Sequence, residues 1–284
     1  MRLARFHSAL RHVFVLVVCA FAVFPILFVV SAAINPLGTL ASTDLLPNGA
    51  SAGNFADLLS SDSYPFARWF FNSVFIALVS SFASLMLSMF AAYAFSRMRF
   101  AGRRVGLLAL LLIQMFPQFL AIVTIFMIFT EVTELYPAFG FNTAWGLLLL
   151  YLGGALGVNT WLMKGFLDTV PKELDEAATV DGATHAQIFW RVIMPLVTPI
   201  LAVTALLAFI TTMSEFLMAN VFLRDPESKT LAVGMYGMIA GDRRNANFGM
   251  FAAATLLTAV PTVGVFLWLQ KYIVSGLTAG AVKG

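Results

Sequence analysis

The sequence predicts an all-α integral membrane protein with six transmembrane helices. Composition is the first reason: 60% of the 284 residues are hydrophobic and 11% charged, against about half and about a quarter in soluble proteins. Mean hydropathy is +0.89, and 28 Phe against 14 acidic residues is more apolar surface than a globule of this size can bury in its own core. The second reason is spacing. Six runs approach the roughly 20 apolar residues that a helix needs to cross a bilayer, near 13–34, 70–95, 105–130, 143–163, 197–222 and 247–270. The third is the absence of strand-like alternation in runs such as Leu107–Ile113 and Leu147–Tyr151, which excludes a membrane barrel and leaves helices to satisfy their own backbone.

Run 13–34 follows Arg2, Arg5 and Arg11, and Ser31-Ala32-Ala33 imitates a signal-peptide cleavage site. About 22 apolar residues exceed a usual signal core, which favours an uncleaved first span. Its Cys19 is the only cysteine, so it reads as a small hydrophobe and rules out an internal disulfide framework or a Cys-based zinc site. The Ser-, Asn-, Gly- and Pro-bearing segment 35–68 is a connector too short for a core of its own. Run 70–95 ends at Arg97 and Arg99, and run 105–130 starts after Arg103 and Arg104 and contains Pro117, an expected kink. Run 143–163 carries Gly153 and Gly157, a G-x-x-x-G pair expected at a close helix crossing. Run 197–222 holds Glu215, whose charge should face the interior or a water-filled path, and run 247–270 holds Pro261, a second expected kink. This divides the chain into 1–69, a core of 70–271 and a Gly-rich tail of 272–284. With a cytoplasmic N-terminus, twelve Lys and Arg fall inside and five outside, so both termini should be cytoplasmic. The arginines are scattered between apolar runs, which argues against nucleic acid; Arg97, Arg99, Arg103 and Arg104 read as topology signals that could also touch a partner or anionic lipid.

The inner segment 164–196 is the one place built to meet a soluble partner. Pro171 suits a first helical turn, and Glu173, Asp175 and Glu176 follow where the helix dipole favours anions. Gly182 should end that helix. Thr184-His185-Ala186-Gln187 then has the form of a capping box, so the segment should run helix, sharp turn, helix, with Phe189 and Trp190 near the surface. Pro195 and Pro199 disfavour a continuous ladder where the chain re-enters the membrane.

Glu176-Ala177-Ala178, Gly182 after three intervening residues, and Val192-Ile193-Met194-Pro195 after nine more resemble the EAA loop of ABC importer permeases. Val192 and Met194 replace the family's Ile and Leu with apolar side chains of similar volume. The stretches Tyr93-Ala94-Phe95-Ser96-Arg97, Gln114-Met115-Phe116-Pro117, Tyr151-Leu152-Gly153-Gly154, Asp181-Gly182-Ala183-Thr184, Thr230-Leu231-Ala232-Val233-Gly234-Met235 and the ending from Gly276 to Gly284 resemble, in order, the smaller permease subunit of maltose/maltodextrin importers. That resemblance implies a type I ABC importer permease fold in a bacterial cell membrane, a second homologous permease, two ATPase subunits and an extracytoplasmic sugar-binding protein. The cargo implied is maltose, maltodextrin or a related oligosaccharide such as trehalose.

It also implies roles. Glu176, Ala177, Ala178, Gly182 and Pro195 would form a coupling helix seated on the ATPase, with Phe189 and Trp190 as apolar anchors. Gly280, Lys283 and Gly284 would reach the ATPase interface, and Gly241, Asp242, Arg243, Arg244 and Asn245 would meet the binding protein, although that tip has no evident family match. Gln114, Gln118, Thr211, Glu215 and Asn220 supply amide, hydroxyl and carboxylate groups that could line a sugar path. No G-x-x-x-x-G-K-[ST] phosphate loop and no nucleophile or metal-ligand constellation occurs, so the chain is expected to be no enzyme and to hold no metal or cofactor, with ATP and Mg bound by the partner. The competing class is a secondary transporter or a channel subunit. A secondary transporter should carry paired ion-coupling acids near the midplane, whereas here Glu215 alone lies deep.

Overall fold

A computed structural model describes residues 2–39 and 47–281. Every regular element among them is helical. Four helices are long and apolar enough to cross a membrane: Leu10–Ile34, Phe66–Arg97, His185–Ser214 and Phe248–Ile273. Two bent pairs, Arg103–Met115 with Phe119–Leu135 and Ala144–Gly153 with Val158–Thr169, bring the crossings to six when each pair counts as one.

The chain divides into two compact units. The first takes in Met1–Ala67 and Val233–Val260. Its helix α1 (Arg2–Ile34) leaves most of its apolar length uncovered, with Phe21 81% exposed and Phe14 69%, which only lipid or a partner helix can cover. Helix α2 (Gly53–Ser60) is held against the end of α1 by Asn54, whose Nδ2 donates to the carbonyls of Ala33 and Asn35, each at 2.9 Å.

The second unit comprises Arg68–Ala232 and Pro261–Gly284. In chain order its helices are α3 (Phe66–Arg97), α4 (Arg103–Met115), α5 (Ile122–Leu135), α6 (Ala144–Gly153), α7 (Val158–Thr169), α8 (Glu173–Val180), α9 (His185–Gln187), α10 (Met194–Ser214) and α11 (Leu217–Phe222). Helices α12 (Leu231–Ile239) and α13 (Phe248–Ala281) complete the chain. The core beneath segment 164–196 joins Met89 and Tyr93 of α3, Met163 and Leu167 of α7, and Ile188, Phe189, Ile193 and Val197.

Several sequence expectations change here. Run 105–130 is not one kinked helix. Phe116 and Pro117 are extended (ψ 126° and 113°) and the axis turns by 78° before α5, because Pro117 has no N–H to continue the ladder. Gly153 and Gly157 do not share a helix face, since the chain breaks between them and turns by 55°. A Cβ on Gly157 would lie 1.8 Å from Gln114 Nε2, so its lack of a side chain admits the Gln114 amide rather than a crossing helix. Run 197–222 also breaks, at Glu215, which is extended with ψ 121°. Pro195 and Pro199, by contrast, interrupt nothing. The helix runs unbroken from His185 to Ser214, and a π-helical stretch at Ile188–Ile193 precedes Pro195. The wider i→i+5 turn re-registers the ladder just before the residue that cannot donate to it. Pro261 lies inside the continuous helix α13. That helix continues to Ala281, so the Gly-rich segment after Lys271, Gly280 included, is helical as far as the described residues reach; Lys283 and Gly284 lie outside them. The loop after Arg224 is partly helical too, with α12 occupying Leu231–Ile239.

Candidate functional site: an exposed helix and a polar cavity

Helix α8 carries its acids, Glu173, Asp175 and Glu176, in its first turn, where the unpaired N–H groups favour them. It ends in a Schellman motif: Ala183 N donates to Ala178 O at 2.9 Å and Gly182 N to Thr179 O at 3.0 Å. Gly182 sits at φ +82°, a left-handed position that strains any other residue. Thr184 then opens α9 with a complete capping box, its Oγ1 accepting from Gln187 N at 3.3 Å and its N–H donating to Gln187 Oε1 at 2.8 Å. The predicted helix, turn and helix are therefore present.

The side chains of α8 divide by face. Asp175 and Ala178 point inward, while Glu176 and Ala177 are exposed along with Leu174 at 41% and Val180 at 88%. Trp190 is 52% exposed. Phe189 is not the surface anchor the sequence suggested: it is 5% exposed and meets Tyr93 and Phe90 at ring-centroid distances of 5.1 and 5.3 Å, because the π-helical turn rotates it into the core. Pro195 lies in the continuous helix that leaves the loop.

The residue that seats α8 escaped sequence reasoning. Arg97, read as a topology charge, has a side chain only 6% exposed. Its Nε lies 2.7 Å from Asp175 Oδ2, and its Nη2 donates to Val170 O at 2.9 Å. One guanidinium thus ties the end of α3 to both sides of the turn into α8. Beside it Ser96 donates to Asp168 at 2.7 Å, Lys164 also bonds Asp168, and Arg103 reaches Ser96 O at 3.3 Å. The signal available was Asp175, an inward acid one turn from Pro171 that requires a cation nearby.

Away from α8, a cavity of about 660 Å³ opens among α3, α4, α6, α7 and α10. Gln114, Thr211 and Glu215 line it, joined by Tyr151, Asn159 and Ser80, Ser81 and Ser84 of α3; among the described residues that line it there is no Lys, Arg or His. Glu215 marks the helix break and caps the next helix: Oε1 accepts from Met218 N at 2.8 Å, and Oε2 from Ala219 N at 3.0 Å and from Tyr151 Oη at 2.6 Å. Three donors satisfy the carboxylate at the break. Gln114 donates to Gly154 O at 3.3 Å. Asn220 is exposed on α11 and does not line the cavity; Gln118 begins a 3-10 turn. Ser80, Ser84 and Ser88 repeat every four residues, a polar stripe legible in the sequence but masked there by the apolar run around it.

In the first unit, Gly241, Asp242, Arg243 and Arg244 form an exposed 3-10 turn, with Gly241 at φ +66°, and Asn245 is exposed after it. Asn247 is structural, its Nδ2 donating to Tyr64 Oη at 2.9 Å and Met238 O at 2.8 Å.

These features define a multi-pass helical membrane protein with an exposed helix, α8, and a polar cavity, and residues 84–278 match the family described as binding-protein-dependent transport system inner membrane component, to which the chain belongs. As such a component it is a transport subunit rather than an enzyme. It is 40% identical over 263 residues to the galactooligosaccharides transport system permease protein of Bacillus subtilis, covering 92% of this chain and 90% of that relative. It is 38% identical over 286 residues to the maltose/maltodextrin transport system permease protein of Escherichia coli, covering 97% and 95%. Among solved structures, a chain of a bacterial ABC transporter involved in the import of the acidic polysaccharide alginate superposes with a TM-score of 0.78 at 23% identity, covering 96% of this chain and 98% of that one. A second, from the alginate transporter with its alginate pentasaccharide-bound periplasmic protein, gives 0.60 at 14% identity, covering 93% of each. These two establish the fold, that of an ABC importer permease.

Proposed function

We propose that this chain is one of two permease subunits of an ATP-driven importer of uncharged oligosaccharides, maltodextrins, galactooligosaccharides or a related sugar such as trehalose. The observation that carries the substrate class is the cavity of about 660 Å³ lined, among the described residues, by hydroxyls, amides and the Glu215 carboxylate without a cation. Sugar hydroxyls exchange readily with such groups, whereas a uronate would meet like charge in a low-dielectric site. The named substrates of the full-length relatives, maltodextrins and galactooligosaccharides, agree in being neutral. In this reading both termini are cytoplasmic, two ATPase subunits receive α8 through Glu176, Ala177 and the exposed Leu174, Val180 and Trp190, and the C-terminal segment from Gly280 to Gly284 approaches the ATPase interface. The turn Gly241 to Asn245 faces the external binding protein. Gln114, Thr211 and Glu215, with Tyr151 and Asn159, line the sugar path. Closure of the ATPase dimer pushes α8, and Arg97 passes that movement to α3. The test is purification of the tagged chain from its native membrane, followed by uptake of labelled sugars by the reconstituted complex. Recovery of an ATPase and a second permease, with uptake of neutral oligosaccharides and not of uronate oligomers, is the expected result. Purification of the chain alone, or preference for a uronate, refutes the reading.

A further inference from the structure

A second cleft lies where α4 begins, against the flank of α7. It encloses about 590 Å³ and is bounded by Arg103, Arg104 and Lys164, with Phe100, Val105 and Leu107 as its apolar walls. Among the described residues three cations line it and no acid does. Lys164 is partly neutralised by Asp168 and Arg103 leans on Ser96 O; Arg104 is exposed and makes no ion pair among the described residues. The cleft also receives the N-terminus of the 13-residue α4, whose cap position is Gly102 and supplies no side chain to its first amides. Those amides and the helix dipole add to the positive field.

The apolar surface decides what kind of anion fits. From the mouth of the cleft, Val105 (71% exposed), Leu108 (50%) and Leu112 (66%) continue along one stripe of α4, with Leu111 (40%) beside them; their three- and four-residue spacing places them on one face. A cationic pocket at the end of a membrane-crossing helix, opening onto an uncovered apolar stripe, matches a molecule with a phosphate head and acyl tails. We infer that this cleft binds one acidic phospholipid, its phosphate held by Arg103, Arg104 and Lys164 and its acyl chains lying along α4. The inference needs only the membrane placement of the chain and is independent of the transported substrate. Bound there, the lipid would brace the α3–α4 turn beside Arg97 and the seat of α8.

The test is native mass spectrometry of the detergent-purified complex titrated with phosphatidylglycerol or with phosphatidylcholine. The wild type should retain at least one phosphatidylglycerol in preference to phosphatidylcholine. At about 1 kcal/mol per basic residue near a headgroup, R104Q should weaken that binding about fivefold and R103Q/R104Q about thirtyfold, without changing phosphatidylcholine binding. R104Q touches no internal partner, so it reports on binding even if the double variant misfolds. Equal phosphatidylglycerol binding by wild type and R104Q overturns the inference, as does an equal loss for both lipids. Displacement of phosphatidylglycerol by inorganic phosphate would also overturn it, by reducing the cleft to an anion site. If R104Q retains lipid normally but loses the ATPase subunit, the cleft is a protein contact and the lipid assignment fails.

Discussion

Asp175→Asn is the sharpest perturbation of α8, the proposed coupling helix. It keeps the shape of the side chain and alters no residue of a membrane-crossing helix, but it leaves the buried Arg97 guanidinium without its counterion. Side-chain exposures of 6% and 18% for the pair place it among ion pairs whose half-removal costs about 3 kcal/mol, since a buried charge loses its counterion. That changes the ratio of seated to displaced α8 by about a hundredfold. The chain should still insert and assemble, because neither step uses this pair. In proteoliposomes sugar uptake should fall at least tenfold while basal ATP hydrolysis persists, so that more ATP is consumed per sugar carried. Arg97→Gln should behave alike, since it strands Asp175 instead. The double variant R97Q/D175N should recover much of the loss by removing both buried charges, giving a coupling energy of about 2 kcal/mol in the double-mutant cycle. A D175N transporter with wild-type sugar carried per ATP, or a double variant as poor as the sum of the singles, would refute the proposed seating of α8 by Arg97.

Four further perturbations address the other elements. Gly182→Asp, at φ +82° with no atom within 4 Å of an added Cβ, should cost about 1–2 kcal/mol through backbone strain alone and lower uptake while assembly persists. Glu176→Lys reverses an exposed charge and should instead reduce ATPase recovery on copurification. Tyr151→Phe deletes one of the three donors to Glu215 and should raise the half-saturating sugar concentration a few-fold, measured by uptake at graded sugar concentrations; an unchanged value removes this pair from the path. Replacing residues 241–246 by a Gly/Ser segment, leaving Asn247 and its bonds to Tyr64 and Met238, should diminish stimulation of ATP hydrolysis by the binding protein. Unaltered stimulation would make that turn a simple connector.

The membrane-crossing helices and the helix-turn-helix of α8 and α9 could be read from the chain because each rests on local chemistry. Apolar length, Pro171, the left-handed Gly182 and the Thr184 to Gln187 box act within a few residues of themselves. What escaped depends on neighbours distant in sequence. The break at Glu215 is stabilised by Tyr151, 64 residues earlier, and Gly157 makes room for Gln114, 43 positions before it. Arg97 appeared as one basic residue in a cluster of four because the pattern along the chain does not show which of them turns inward. Phe189 and the prolines were misjudged for one reason: a π-helical turn at Ile188–Ile193 leaves no periodic mark, yet it both rotates Phe189 into the core and carries the helix past Pro195.

The central claim is that this chain belongs to a transporter powered through α8 by ATP rather than by an ion gradient. Proteoliposomes containing the purified complex and its binding protein, loaded with labelled neutral oligosaccharide on the binding-protein side, measure this directly. The account predicts uptake when ATP is supplied on the α8 side and none with a proton or sodium gradient alone, with D175N abolishing most of the ATP-dependent signal. Uptake driven by an ion gradient without ATP would contradict it.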